Sequence, residues 1–397
     1  MRITTGSILV VTAGAVITLA SCADSSDEEA PTDNPSTLLD GGASDGAALD
    51  AACEGGADDC STTPPCKATD LCPVATGADP RHALMSVWGS SKNDVWAVGS
   101  RGTIVHWDGM AWASTPSGTT QTLFAVSGTG AGDVWAVSSR AVALHSTGFT
   151  GATATWTASA PVAPAYAPYF PMPWNESLLL SVLARAPGDV WIGGEPYPVL
   201  LDPDSPPQKA NLWRGSGTSW HHDVLADDFA IRGFWASGAA DVWAVGGVFG
   251  TPVNRAGRAF HTTGPSGAPV WTEVDTQSSA SLNAVWGSGP NDVWIVGDRG
   301  TVRHWTNGPV KRWEIVAVPT DRDLHAVWGS GANDLWVVGD FGTVLRYDGV
   351  EWRAADAVFP VGVTPHLRGV WGSAADDVWV VGDGIALHLS PKAGTAP

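Results

Sequence analysis

A chain of 397 residues in which 44 % of side chains are hydrophobic and 15 % are charged can bury a large core. Its net charge of −19 argues against a nucleic-acid partner, because a surface of that sign repels phosphate backbones. All 22 tryptophans lie between Trp88 and Trp379, so a Trp-free leader precedes a Trp-rich body.

The leader starts on Met1-Arg2, followed by an uncharged stretch from Ile3 to Ala20 rich in Val, Ile, Leu, Ala and Thr. A basic start, an apolar core and small residues before a cut predict a signal peptide over residues 1–21. Its ending, Leu19-Ala20-Ser21-Cys22, resembles the lipobox of bacterial lipoproteins. That resemblance implies a lipid anchor on Cys22 and an extracytoplasmic place in a bacterial cell envelope, since several acyl chains hold where one is marginal. An ordinary cleaved signal and an uncleaved anchor are the alternatives, although an uncharged stretch of 18 residues barely spans a bilayer.

Residues 22–65 are mostly Asp, Glu, Ser, Ala, Gly, Pro and Thr, with only three Leu and no aromatic side chain, which predicts a disordered acidic tether. Cys53, Cys60, Cys66 and Cys72 form two close pairs, and an exported chain favours disulfides. Three connectivities are open, of which the local one, Cys53 with Cys60 and Cys66 with Cys72, needs the shortest loop closures. A metal site is the rival, but no histidine lies among these cysteines and their spacing is wider than in a zinc knuckle.

From residue 66 to 390 the body repeats Asp-(Val/Leu)-Trp seven times, at Asp94, Asp133, Asp189, Asp241, Asp292, Asp334 and Asp377. The fullest repeats read as four short Val- and Trp-rich runs, a to d, parted by Gly/Asp/Ser/Asn turns: Leu84–Trp88, Val95–Val98, Thr103–Trp107 and a run from Trp112. Successive Asp residues are 39 to 56 positions apart, which predicts an all-β, seven-bladed β-propeller with four antiparallel strands per blade. The last repeat stops without a d strand, and residues 70–75 lie where the outer strand of that blade is missing. The expectation is that they supply it, leaving 391–397 as a tail.

Two matches, Gly297-Asp298-Arg299-Gly300-Thr301-Val302 and Gly339-Asp340-Phe341-Gly342-Thr343-Val344, with Asp108-Gly109…Trp112 and Asp348-Gly349…Trp352, carry a family resemblance. They resemble BNR-like propeller repeats of the sialidase superfamily and of the photosystem II assembly-factor propeller. The Asp-Gly…Trp segments are similar to a shortened Asp-box, with a spacing of four and no Ser/Thr opening. The resemblance implies propeller architecture and says little about activity.

A residue needed in every blade builds the blade, so the seven repeat aspartates are expected to be structural. Their tryptophans are expected to pack between blades. His106, His145, His261, His304 and His388 share a register on strand c, with Leu212 and Arg346 in the other two blades. Equivalent positions in adjacent blades are too far apart to share an ion, so no metal and no cofactor are expected.

Function is sought where the repeat breaks. One insertion follows Trp156 and runs to Ser177, and two more run from Glu195 to Lys209 and from Gly247 to Gly257. Strand alternation places all three on one face, above blades two to four. They carry Tyr166, Tyr169, Phe170, Trp174, Tyr197 and Phe249, which are candidates to bind a glycan or an envelope protein. The alternative is a sialidase-like or other glycosidase, using Arg101, Arg140, Arg299 or Arg322 with Glu176, Glu195 or Asp323, but no Tyr/Glu nucleophile pair is recognisable. The reading is a membrane-tethered, monomeric binding or scaffold propeller.

Overall fold

The computed structural model describes residues 66–67, 71–139, 142–159, 178–199, 208–226, 228–248, 256–264, 268–306 and 312–389. Cys22, Cys53, Cys60 and the signal and tether calls, up to residue 65, lie outside them, as do residues 390–397. Within them the chain forms seven four-stranded antiparallel sheets, a seven-bladed β-propeller. Blade one runs from its inner strand, Leu84–Ser91, through Asp94–Gly99 and Ile104–Trp107 to the outer Trp112–Ser114. The other inner strands are Leu123–Gly130, Leu179–Ala186, Phe229–Gly238, Leu282–Gly289, Leu324–Gly331 and Leu367–Ala374. Each packs beside the next, and Leu367–Ala374 closes the ring against Leu84–Ser91.

The Asp-Val-Trp phrase becomes strand b because both of its faces are covered. Side chains alternate across a strand, and Val95 and Trp96, pointing opposite ways, are both fully buried. The indole crosses to the next blade. Ring centroids lie 5.5 Å apart for Trp96 and Trp156, 5.0 Å for Trp243 and Trp313, and 4.9 Å for Trp379 and Trp112. Trp135 with Trp220, Trp191 with Trp271, and Trp294 with Trp352 repeat the contact edge to face, the arrangement aromatic quadrupoles favour.

The sixth interface differs. Cys72–Pro73 pairs with Ile385–Leu389 as the outer strand of blade seven, with Cys72 opposite His388. In blade one His106 faces Ala113 and the neighbouring Trp107 faces Trp112. Leu71, one place before Cys72, therefore takes the register position of the outer-strand tryptophan. It is fully buried in the cluster that holds Trp336, Val338 and Leu389. Backbone bonds fix it, from Leu71 N to Asp356 O at 3.1 Å and from Val358 N to Leu71 O at 2.9 Å. A disulfide ties Cys72, the first residue of this strand, to Cys66.

The Trp-Gly of the inner strands has its own cause. A Cβ on Gly89 would lie 2.6 Å from Cη2 of Trp371, and one on Gly128 would lie 2.5 Å from the same atom of Trp88. Each inner-strand indole lies on the backbone of the next blade, which leaves room only for glycine there.

Candidate functional site: the two ends of the inner strands

Every inner strand carries two register shifts against strand b. In blade one they skip Met85 and Ser90; in blade five they skip Asn283 and Ser288. Bulges re-aim side chains, and here the two bulges of each strand have different tasks.

The second bulge, at the end of the strand beside the a–b turn, serves the fold. It turns a hydroxyl onto the repeat aspartate, as in Ser90 to Asp94 (2.5 Å), Thr129 to Asp133 (2.7 Å), Ser288 to Asp292 (2.5 Å) and Ser330 to Asp334 (2.6 Å). Ser237 and Ser373 do the same for Asp241 and Asp377. In blade three Arg185 replaces the hydroxyl, 3.4 Å from Asp189. The other carboxylate oxygen takes the strand-c histidine: His106 at 2.7 Å, His145 at 2.9 Å, His261 at 2.5 Å, and His304 and His388 at 2.6 Å. The imidazole lies on its own blade's tryptophan, with centroids 3.7 Å apart for Trp294 and His304 and 3.8 Å for Trp379 and His388.

The expectation for blade three needs correction. The strand-c residue opposite its tryptophan is Arg214, not Leu212, which pairs with Gly193. The expected register slipped because the blade-three b–c insertion is partly an extended hairpin, in which Tyr197 pairs with Ala210 and Val199 with Gln208. Both blades without the histidine therefore place an arginine there, and Arg346 bonds Asp334 at 2.8 Å while lying over Trp336.

This node is not a nucleophilic triad, in which histidine must stand between hydroxyl and carboxylate. Here the carboxylate stands between the other two. Burial pushes the carboxyls of Asp94, Asp292 and Asp377 up, but bonds from histidine and serine outweigh it and hold them below the ordinary range. Among the described residues no group of three or more His, Cys, Asp or Glu side chains is placed to hold a metal.

The first bulge, at the opposite end of the strand, faces the central channel beside the d–a and b–c connections. Its residue changes from blade to blade. Blades one to three place Met85, Phe124 and Leu180 there, and blades four to seven place Arg232, Asn283, His325 and Arg368. All seven line one cavity of about 410 Å³ together with Glu195. Its mouth thus has an apolar arc and a polar arc.

The polar arc is fixed by the residue that follows the glycine of strand b. Asn283 donates to Asp298 at 2.8 Å and to Leu324 O at 2.9 Å. Arg368 grips Asp383 through Nε (2.7 Å) and Nη2 (3.2 Å). His325 and His366 both bond one oxygen of Asp340, at 2.6 and 2.7 Å. Burial raises the Asp340 carboxyl, and the two imidazoles more than offset it, leaving it below its ordinary range. Arg232 donates to the neutral Oδ1 of Asn283 at 2.8 Å. Burial pushes the Glu195 carboxyl up, against the opposing charge of Arg232.

Three exposed residues in left-handed backbone stand at the b–c turns of this face: Arg101 (φ 56°), Arg299 (φ 56°) and Phe341 (φ 53°). Phe341 is 53 % exposed, with Arg322 over its ring at 4.7 Å and His366 beside it.

Of the residues expected to form a site, Tyr166, Tyr169, Phe170, Trp174 and Phe249 lie outside the described residues, as do Glu176 and Arg140. Tyr197 lies within strand b of blade three, Asp189–Val199, where its backbone pairs with Ala210. The seven bulged channel residues were not anticipated. The available signal was the first variable position of Leu-x-x-Val, which changes chemistry while its neighbours repeat.

No protein-family model matches the chain, and no curated protein sequence does. Solved propellers do. The structure described as YCF48 bound to D1 peptide is 17 % identical, with a TM-score of 0.55, over 82 % of this chain and 100 % of that one. The WD40 propeller domain of Doa1 is 10 % identical, with a TM-score of 0.58, over 82 % and 98 %. The extracellular domain of a putative hybrid two-component system from B. thetaiotaomicron is 11 % identical, with a TM-score of 0.53, over 81 % of this chain and 41 % of that one. At these identities the likeness is one of fold.

Proposed function

We propose that the chain is a binding or scaffold propeller that presents its d–a and b–c face to an envelope polypeptide. In this reading lipid on Cys22 and a tether through residue 65 hold it at an extracytoplasmic membrane surface. One observation carries the proposal. The bulge at one end of each inner strand is committed to the fold, whereas the bulge at the other end carries a different residue in almost every blade and faces an open channel. A rigid ring with variable side chains on one face is built to recognise. A propeller of the same fold solved with a bound peptide, and another from an extracellular domain, support the partner class and the location. The aromatic insertions, with Tyr166, Tyr169, Phe170, Trp174, Tyr197 and Phe249, flank that face in this reading.

The glycosidase alternative rests on Glu195, whose raised carboxyl suits a general acid. It also needs a second available carboxylate; of the expected partners Asp323 accepts a bond from Arg299 N at 2.7 Å and Glu176 lies outside the described residues, while Asp298, Asp340 and Asp383 are each held by Asn283, histidine or Arg368. Binding is therefore the better supported reading.

The test immobilises the chain from Ser61 onward and exposes it to an envelope extract and a polysaccharide panel, beside a Tyr166/Tyr169/Trp174→Ala variant. Retention of polypeptides by the parent and their loss in the variant is the expected result. Equal retention by both, or retention of polysaccharide alone, refutes the proposal as stated.

A further inference from the structure

We infer that the channel mouth is a pocket for one apolar residue of a polypeptide: a side chain of Leu, Met or Phe size seats on Met85, Phe124 and Leu180 while its flanking amides meet Arg232 and Asn283. The inference rests on the polypeptide reading of this face and specifies which of its residues read the partner.

The three apolar bulges belong to consecutive blades, so they form a continuous arc rather than scattered contacts. Two of the three are aliphatic. Flexible aliphatic chains, methionine above all, adapt to an aliphatic or aromatic side chain, whereas the flat face of a sugar calls for a flat ring. The cavity of about 410 Å³ falls in the range of small-ligand pockets, ample for one residue with its two peptide groups.

Just below the mouth the ring narrows to small residues. A Cβ on Gly233 would lie 3.2 Å from Cα of Ala284, and one on Gly369 would lie 3.2 Å from Cα of Ser86. Neighbouring inner strands touch there, which gives the pocket a continuous wall.

The polar arc fits a neutral ligand. Its cations stand beside carboxylates, Arg368 on Asp383 and Arg232 near Glu195, so its charge is largely balanced. It presents donors and acceptors side by side, held in place by their own bonds. A peptide group is neutral and both donates and accepts. A free anion gains little from such an arc on a chain whose net charge is −19.

The chain supplies its own reporters. Its four methionines are Met1, Met85, Met110 and Met172. Met85 lines the pocket, Met110 is 85 % exposed on a c–d turn at the opposite face, and Met172 belongs to the first insertion. The full chain carrying Cys22→Ala, labelled with methyl-13C methionine, is titrated with acetyl-Gly-X-Gly-amide peptides and with methyl glucoside. With X as Leu, Met or Phe the Met85 methyl signal moves saturably, at least five-fold more tightly than with Gly or Asp, while Met110 stays still. Leu180→Asp abolishes the response, with unchanged tryptophan fluorescence as the check on folding. The inference is overturned if Met85 ignores every peptide, responds equally to Gly or to the glucoside, or still responds in Leu180→Asp. Movement of Met172 without Met85 also overturns it, yet leaves the face reading intact. Failure of the face reading would show instead in the envelope assay, as no polypeptide retained by the parent or equal retention by the parent and the Tyr166/Tyr169/Trp174→Ala variant.

Discussion

Leu71→Ala tests whether the ring is closed by the residue that stands in for the seventh outer tryptophan. The side chain is fully buried against Trp336 and the blade-seven strands. Removing three carbons forfeits about 2.5 kcal/mol of transfer free energy, at roughly 0.8 kcal/mol each. The core on both sides is rigid sheet and cannot collapse into the gap, so the residual cavity raises the loss to about 3–4 kcal/mol. Urea unfolding followed by tryptophan fluorescence measures this directly. Ile315→Ala, on an outer strand and 66 % exposed, should stay within about 0.5 kcal/mol. A loss below about 1 kcal/mol for Leu71→Ala would show that the N-terminal strand rests on blade seven without closing it, and the closure argument would fail.

Other consequences can be measured in the same protein. The carboxyls of Asp94, Asp292, Asp340 and Asp377 are depressed in the folded chain. A depressed folded value contributes stability above the unfolded range near about 4 and loses it as pH falls through the folded value. The unfolding free energy should therefore decline from about pH 4 downward, less steeply in Asp377→Asn; an unchanged slope in that variant refutes the assignment. His261→Ala should lose about 1–3 kcal/mol by leaving Asp241 short of a partner, while His261→Arg should retain most of it, because Arg346 already holds Asp334 in blade six. Denaturant midpoints decide, and equal losses would contradict the node. Gly89→Ala places a methyl 2.6 Å from Trp371 and should destabilise by about 1–3 kcal/mol through overpacking; a neutral result in a thermal melt would mean that the indole can move aside.

The architecture was legible because its determinants repeat. Asp-(Val/Leu)-Trp and Val-Trp-Gly recur where a blade needs a carboxylate between strands, an indole between blades and a bare backbone under the next indole. Leu212 was placed one turn of the pattern too early because periodic reasoning assumes equal strand lengths, and blade three lengthens its b–c hairpin to pair Tyr197 with Ala210. The channel residues were harder to see. A residue such as Arg232 or Phe124 gains its position from a bulge, and a bulge depends on the pairing of two strands rather than on the alternation of one. Alternation alone assigns Met85 to a face without distinguishing a channel mouth from an ordinary strand surface.

The two bulges also explain how such a fold can carry recognition without risking stability. At one end of the inner strand, a change at Ser288 or His304 disturbs Asp292, which sits among buried indoles, and the loss spreads to the neighbouring blade through Trp294 and Trp352. At the other end, Leu180 and Arg232 line an open channel, and Arg232 reaches the next blade through an exposed bond to Asn283 rather than through a buried indole. Substitution there alters what the mouth offers a ligand and leaves the Trp-to-Trp contacts unchanged. The apolar and polar arcs can therefore be exchanged one blade at a time. A Phe124→Arg change should split the apolar arc at its middle blade, weaken the response of Met85 to apolar peptides, and leave the unfolding free energy within about 0.5 kcal/mol of the parent. If the unfolding free energy falls by several kcal/mol instead, the mouth residues belong to the core and the separation of fold from recognition is wrong.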